Sequence, residues 1–198
     1  MTAAAAIASL LALTSCGSPS HQAGTNTPTG SSGTPSPALT TQTHNAEDVT
    51  FAQSMIPHHQ QAIKMSDVVL SKQGIDARVT DLATRIKDAQ GPEVREMQNW
   101  LLQWGQPPTP STPSGHGGMP GMDGMMSDQD IQSLQNAQGT EAGRLYLTQM
   151  VRHHQGAIVM AQNEIKSGQF VPAIALARSI VATQQQEIDT MQAIVSSL

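Results

Sequence analysis

Apolar residues recur every three or four positions along four long stretches of the chain, a spacing that predicts amphipathic helices. The four stretches are residues 46–71, 76–104, 140–167 and 172–197. A shorter helix is predicted up to about residue 137, and either Ser127 or Asp128 can cap its first turn. Aromatic residues make up only 3% of the chain, which is low for a β-sandwich or barrel. We therefore expect an all-α protein.

Proline and glycine punctuate the predicted helices. Pro57 lies inside the first helix and Pro92 follows Gly91 inside the second, so both helices are expected to bend there. Gly74 and Gly168 follow the first and third long helices, at positions where glycine commonly ends a helix. This punctuation divides the helical part of the chain into two hairpins.

The second hairpin repeats the first. Paired histidines flanked by methionines recur at an offset of 95 residues, as Met55, His58, His59 and Met65, then as Met150, His153, His154 and Met160. The second helix of each hairpin carries Gln90, Glu93 and Met97, or Gln184, Glu187 and Met191. One hairpin cannot bury its apolar stripe alone, whereas two can pack into an up-and-down four-helix bundle. We predict this bundle over residues 46–198, with repeat one at 46–104, a loop at 105–126 and repeat two at 127–198.

The residues before the bundle have the pattern of an export signal followed by a tether. A short apolar run ends at Leu13, and two small residues separate it from Cys16, the only cysteine. This pattern is similar to a bacterial lipobox and predicts a lipoprotein signal peptide over residues 1–15, with lipid on Cys16. An ordinary secretory signal with an incidental cysteine is the alternative. No Lys or Arg precedes the apolar run, which departs from the lipoprotein pattern. Residues 16–45, rich in Ser, Thr, Pro and Gly, are predicted to be a disordered tether in which His44 is solvated.

Charge and cysteine content limit the partners. The formal net charge is −5, and no basic patch with interleaved aromatic residues is present, so nucleic-acid binding is not expected. A single cysteine excludes an internal disulfide framework. The expected location is outside the cytoplasm, on a membrane to which the lipid would anchor the chain.

The repeated methionines and histidines indicate a soft metal ion. Thioether is a soft, uncharged ligand and imidazole a borderline one, and together they favour Cu(I) or Ag(I) over hard cations. Met55 precedes His58 by three residues and His59 by four, so the three side chains share one helical face. The alternative is that the methionines fill the core and the histidines make structural hydrogen bonds. The candidate ligands are Met55, His58, His59, Met65, Met97, Met150, His153, His154, Met160 and Met191.

Glu93 and Glu187 lie on the apolar faces of their helices, one turn before a methionine. A buried carboxylate needs a partner, and the nearest candidates are the imidazoles of the adjacent helix. We interpret both glutamates as acceptors that orient ligating histidines, with Gln90 and Gln184 extending the polar network. A structural His–Glu hydrogen bond without metal is the alternative.

The loop between the repeats is rich in glycine and proline. It carries one histidine and four methionines, namely His116, Met119, Met122, Met125 and Met126. We interpret it as a mobile arm that captures Cu(I). A plain flexible linker is the alternative.

Motifs of other chemistries are absent from the sequence. It contains neither the Glu-x-x-His pairs of di-iron bundles nor a His-Glu-x-x-His zinc motif. No nucleophile elbow supports a Ser/His/Asp triad. We therefore predict no catalytic residue and no organic cofactor, and expect a binding protein rather than an enzyme. A copper-dependent redox enzyme would require an open coordination position, which a sequence does not reveal.

The duplicated pattern resembles a bacterial family known as domain of unknown function 305. The residues of repeat one that carry the resemblance are Asp48, Phe51, Met55, His58, His59, Ala62, Ile63, Met65, Gln90, Glu93 and Met97. Most of them recur in repeat two, and the Gly-Met-Pro-Gly-Met run at residues 118–122 is also similar to the family. The resemblance covers about residues 46–195 and implies a ferritin-like helical bundle. Some members are secreted proteins that bind copper or silver and are linked to metal resistance, so the resemblance implies the same metals here.

Two hypotheses about function follow. The first is a membrane-tethered, extracytoplasmic protein that binds Cu(I), and Ag(I) by the same chemistry, and acts in copper buffering, transfer or resistance. Its partners would be the metal ion, the membrane through the lipid anchor, and an envelope copper-handling protein or a second copy of the chain. The second is a non-catalytic structural or interaction module of the cell envelope, in which the His/Glu/Gln network sets the helix register.

Overall fold

A computed structural model describes residues 43–108 and 124–198, which belong to one compact unit. These residues form five α-helices and no strand: α1 (Ala46–Leu70), α2 (Ala77–Gln103), α3 (Asp128–Asn136), α4 (Gly139–Ser167) and α5 (Val171–Val195). Every bound lies within two residues of the predicted one, and the all-α prediction is confirmed. The predicted signal peptide, Cys16, most of the tether and residues 109–123 of the loop lie outside the described residues.

The helices pack as two hairpins. α1 pairs with α2, and α4 pairs with α5. α1 also packs along α4, a smaller contact joins α2 to α5, and the short α3 lies against both α1 and α4. This arrangement confirms the predicted helical bundle, in which two hairpins pack together and α3 is an addition. None of the helices that the structure describes is long and apolar enough to cross a membrane.

Side-chain caps fix where the first helices of each repeat begin. The Asn45 side chain accepts hydrogen bonds from the backbone N–H groups of Glu47 and Asp48, and the Asp48 carboxylate accepts one from the backbone N–H of Asn45. This reciprocal capping box satisfies donors that the first helical turn leaves unpaired. Ser127 and Asp130 cap α3 in the same way. The caps agree with the starts that the sequence predicts.

Prolines inside the helices do not end them. α1 continues through Pro57 and α2 continues through Pro92. Each ring removes one backbone donor from its helix, and tertiary packing of the apolar face maintains the helix around it. The histidine pair of α1 therefore directly follows a proline within an unbroken helix.

The apolar faces form two clusters of buried side chains, one towards each end of the bundle. Phe51, Trp100 and Phe170 belong to the first cluster, and Leu82 and Tyr146 belong to the second. The four motif histidines lie between the clusters along α1 and α4. Near the first cluster, the structure corrects one expectation, because His44 is half-buried and stacks on Trp104 with ring centroids 4.5 Å apart.

Candidate metal site

Four histidines lie fully buried where α1 packs against α4. His58 and His59 come from α1, and His153 and His154 come from α4; each has 0% of its surface exposed. The rings of His58 and His153 have centroids 3.7 Å apart and are tilted by 39°. The centroids of His153 and His154 are 6.4 Å apart. The two repeats therefore share one histidine cluster rather than holding two separate pairs.

Each repeat pairs one histidine with the glutamate of the neighbouring helix. Nε2 of His59 lies 2.8 Å from Oε2 of Glu93, and Nε2 of His154 lies 2.7 Å from Oε2 of Glu187. A carboxylate only accepts hydrogen bonds, so the imidazole Nε2 carries the proton and donates it. In a neutral ring this leaves the lone pair on Nδ1.

The glutamates themselves reach the surface. About a fifth of each side chain is exposed, 20% for Glu93 and 21% for Glu187. This corrects the expectation of fully buried carboxylates. Partial hydration lowers the cost of placing a charge beside the core.

Burial keeps the histidines of α4 uncharged. Desolvation lowers the pKa of His153 well below its ordinary value, and the neighbouring His58 and His154 rings lower it further. Desolvation also lowers the pKa of His154, against the opposing influence of Glu187. Neutral imidazole is the form that binds metal ions, so these rings need no deprotonation at neutral pH.

Several imidazole nitrogens in the cluster remain available. Within the described part of the chain, Nδ1 of His59 and Nδ1 of His154 are buried without a hydrogen-bond partner, and neither ring nitrogen of His153 makes a hydrogen bond of normal geometry. A buried polar nitrogen without a partner is costly, and coordination of a metal ion would remove that cost. The donor set therefore fits a soft metal ion.

The six candidate methionine ligands are all buried in the described bundle, with exposures between 0% and 5%. They divide between the two core clusters on either side of the histidines. Met55, Met97 and Met160 belong to one cluster, and Met65, Met150 and Met191 belong to the other. Each set thus takes two methionines from one repeat and one from the other, because α1 and α4 run antiparallel. The two core clusters therefore do not divide the methionines by repeat.

Carboxylates and imidazoles alone do not complete a site here. Across residues 43–108 and 124–198, no three His, Cys, Asp or Glu side chains are grouped so as to hold a metal ion. Gln90 and Gln184 are buried, and the side-chain oxygen of each lacks a hydrogen-bond partner among those residues. The expected extension of the His–Glu network through these two side-chain oxygens is therefore not seen.

Sequence reasoning missed a clamp that fixes the end of the Met-rich loop. The Gln61 side chain donates a hydrogen bond to the carbonyl of Met126 (2.9 Å) and accepts one from its N–H (2.7 Å). Met126 is buried, Met125 is half-buried, and an Arg152 nitrogen lies 3.0 Å from the Met126 sulfur. His116, Met119 and Met122 lie outside the described residues.

The loop closes on the other repeat through glycine. Gly124 has φ +82°, and a Cβ there would lie 2.6 Å from the Arg152 carbonyl oxygen and 2.9 Å from Cα of Gly156. Gly156 occupies the position in repeat two that Gln61 occupies in repeat one. This difference between the two histidine motifs was the available signal for the clamp.

Two carboxyl groups far from the histidines were also missed. Asp48 accepts hydrogen bonds from the backbone N–H groups of Gln169 and Phe170 and so joins α1 to the start of α5. Burial alone would raise the pKa of Asp48, but these bonds and one from Asn45 outweigh it and lower the pKa. Burial, followed by the nearby Asp48 carboxyl, raises the pKa of Glu164 to about 8. The Glu164 carboxyl carbon fills the space beside Gly168, 2.6 Å from where a Cβ would stand.

The fold and the buried core define a class of protein, namely a bundle of two helical hairpins with histidine and methionine side chains in its core. The chain belongs to the DUF305 family, described as a domain of unknown function, whose model matches residues 48–195. The family resemblance noted in the sequence is thereby confirmed. Comparison with curated proteins gave no significant match.

Solved structures with the same fold include two DUF305 proteins. One from Streptomyces coelicolor, described as secreted, is 32% identical, with a TM-score of 0.71 over 76% of this chain and 93% of that one. One from Deinococcus radiodurans is 33% identical, with a TM-score of 0.69 over 78% of this chain and 98% of that one. These neighbours support the helical-bundle assignment independently of the motif.

The protein CopM is also similar. Its Cu(II)-bound form is 31% identical, with a TM-score of 0.64 over 76% of this chain and 96% of that one. CopM is further described in Cu(I)-bound, silver-bound and apo forms. Proteins that bind copper and silver therefore occur among those that share this fold.

Proposed function

We propose that this protein binds Cu(I), and Ag(I) by the same chemistry, in the core between α1 and α4. The observation that carries the proposal is the pair of His–Glu hydrogen bonds. Each bond assigns the ring proton to Nε2, so the lone pair on Nδ1 of His59 and of His154 belongs to a buried atom without a partner. Such nitrogens fit a metal ligand better than a structural histidine, which would use both of its nitrogens.

The chemistry of the surrounding side chains favours a soft ion. Six buried methionines flank the histidines, and uncharged thioether and imidazole stabilise Cu(I) and Ag(I) better than they stabilise hard divalent cations. The residues that would hold the metal are the four histidines together with Met55, Met97, Met160, Met65, Met150 and Met191. Glu93 and Glu187 would keep the rings oriented. The forms of CopM support the same choice of metals.

A role in handling metal outside the cytoplasm is consistent with the sequence. We propose that the chain is exported, as the similar Streptomyces coelicolor protein is described to be, and that lipid on Cys16 tethers it to a membrane. In that position it would buffer copper, pass it to another envelope protein or contribute to resistance. An envelope copper-handling protein or a second copy of the chain remains the proposed protein partner.

A competition titration tests the proposal. The purified chain would be titrated with Cu(I) against a chromophoric Cu(I) chelator, beside a double variant His59→Ala and His154→Ala and a control variant His44→Ala. We expect the double variant to lose at least about tenfold in affinity and the control to bind like the parent chain. Because the double variant removes buried rings, a second variant, Met55→Leu with Met150→Leu, changes donors at nearly constant volume. The proposal would be overturned if the parent chain failed to compete with the chelator. It would also be overturned if both double variants bound Cu(I) with the affinity of the parent chain.

One observation favours the structural module as a second candidate. The His59–Glu93 and His154–Glu187 bonds each join two helices of a hairpin, and they would hold the register without any metal. This function predicts that Cu(I) leaves the melting temperature unchanged, whereas a metal-binding core is stabilised by its ligand. A melting curve measured with and without Cu(I) separates the two.

A further inference from the structure

One end of the bundle is closed by an aromatic cluster. The Phe170 ring stands edge-on to both tryptophans, with centroids 5.5 Å from Trp100 and 5.1 Å from Trp104. The His44 ring stacks on the Trp104 ring, and the two ring planes lie within 11° of parallel. The entry to α1, the end of α2 and the start of α5 therefore meet at this end.

Two of the segments that meet at this end contain no charged residue. Residues 97–108, at the end of α2, contain no Asp, Glu, Lys or Arg, and neither do residues 167–177, at the start of α5. The bundle has three exposed large apolar side chains among its described residues, and two belong to these segments: Leu102 is 76% exposed and Val171 is 66% exposed. Trp104 is half-buried. Exposed apolar groups without charge are unusual at the end of a water-facing bundle.

The tether enters the bundle at the same place. α1 begins at Ala46, and His44 is held against Trp104. Residues 16–42, which are predicted to run back to a lipid on Cys16, therefore precede the bundle at its aromatic end. A lipid anchor on such a tether would keep this end nearest to the membrane.

We propose that this aromatic end rests on the lipid surface, with Trp104, Leu102 and Val171 in the headgroup region. Tryptophan favours the membrane interface because it has an apolar body and a polar N–H. A few apolar side chains bind a bilayer weakly, but the tether raises their effective concentration, and stable anchoring commonly needs two such signals. The proposal depends on membrane tethering and is independent of metal binding.

Tryptophan quenching by brominated phospholipids tests this contact. Trp100 and Trp104 are the only two tryptophans of the chain, so quenching reports this end and not the apolar N-terminal run. The full chain would be bound to neutral phosphatidylcholine vesicles brominated near the headgroup end of the acyl chains. We expect the double variant Leu102→Gln and Val171→Gln to lose about half of the quenching or more. Val159→Gln, which changes the third exposed apolar residue, is the matched control and should retain it.

Two results would overturn the proposal. One is equal quenching in the parent chain and in the double variant. The other is self-association of the parent chain through this end, seen by sedimentation as a dimer that the double variant lacks, which would assign the surface to a second copy. Cu(I) affinity is measured on the same samples, and the double variant should leave it unchanged, so failure here is distinguishable from failure of the metal proposal.

Discussion

The imidazole rings of His58 and His153 lie with their centroids 3.7 Å apart, so equivalent histidines of the two repeats meet between α1 and α4. Both rings are fully buried. A proton on either ring would place a charge in the core beside a second basic group, which explains why the pKa of His153 is lowered so far. The duplication therefore creates a cluster of nitrogen donors at the centre of the bundle.

Acid is expected to destabilise the protein through this cluster. Below about pH 6.5 the unfolded chain protonates His153 while the folded chain does not, so the contribution of His153 to the free energy of unfolding falls as the pH falls. One such proton contributes a slope of up to about 1.4 kcal/mol per pH unit. Urea unfolding of the parent chain and of His153→Gln, measured between about pH 7 and about pH 5, checks this. The free energy of unfolding should rise less with pH in His153→Gln than in the parent chain; equal slopes in the two chains would contradict the prediction.

The orienting glutamates predict a loss of metal affinity without loss of fold. Glu93→Gln with Glu187→Gln lets the amide donate as well as accept, so the ring proton is no longer confined to Nε2. We expect Cu(I) affinity to fall about 10–100-fold, with far-UV circular dichroism unchanged. Glu96→Gln, on the exposed face of α2, is the control. Unaltered affinity in the double variant would show that the His–Glu bonds do not act on the metal.

The loop clamp predicts a local loss of stability. Gln61→Ala removes both hydrogen bonds to the backbone of Met126 and leaves its polar groups partly buried. We expect about 1–3 kcal/mol less free energy of unfolding, together with faster proteolysis near residue 124. Gln60→Ala changes an exposed neighbour and should have little effect. Similar stability in the two variants would mean that the clamp contributes nothing.

Rising pH is expected to destabilise the protein through Glu164. Its folded pKa of about 8 lies above the ordinary value of 4.5, so the folded chain binds more protons than the unfolded chain between these values. The contribution of Glu164 to the free energy of unfolding therefore falls as the pH rises through this range. Glu164→Gln cannot ionise and should remove that contribution, which urea unfolding of the variant and the parent chain at a series of pH values measures. If the variant and the parent chain lose stability in parallel, the buried Glu164 carboxyl is not the cause.

Much of the fold follows from the sequence because its signals are local. Helical periodicity and the candidate cap at Ser127 predict the helices, and the in-register duplication predicts that two hairpins pack into a bundle. The His–Glu pairs also follow, since Glu93 and His59 lie on facing stripes of adjacent helices. These features need only spacing along the chain and the rule that hairpin helices pack together.

The remaining features depend on contacts between distant segments. The direction of α1 against α4 decides that Met55 shares a cluster with Met160 rather than with its own repeat's Met65. Gln61 and Met126 meet only after the loop has closed, and Asp48 reaches Phe170 across the bundle. Such contacts leave no periodic pattern in the sequence. The difference between Gln61 and Gly156 can be interpreted only when the folded structure shows what each residue contacts.

The central claim is that Nδ1 of His59 and of His154 binds the metal while Nε2 stays bonded to glutamate. Nitrogen-15 NMR of histidine-labelled protein, with and without Ag(I), tests it most directly. We predict that the apo protein shows both rings protonated at Nε2 and that Ag(I) shifts the Nδ1 resonances while the Nε2 protons remain. Unchanged Nδ1 resonances at saturating Ag(I), or metal-induced loss of the Nε2 protons, would contradict the account.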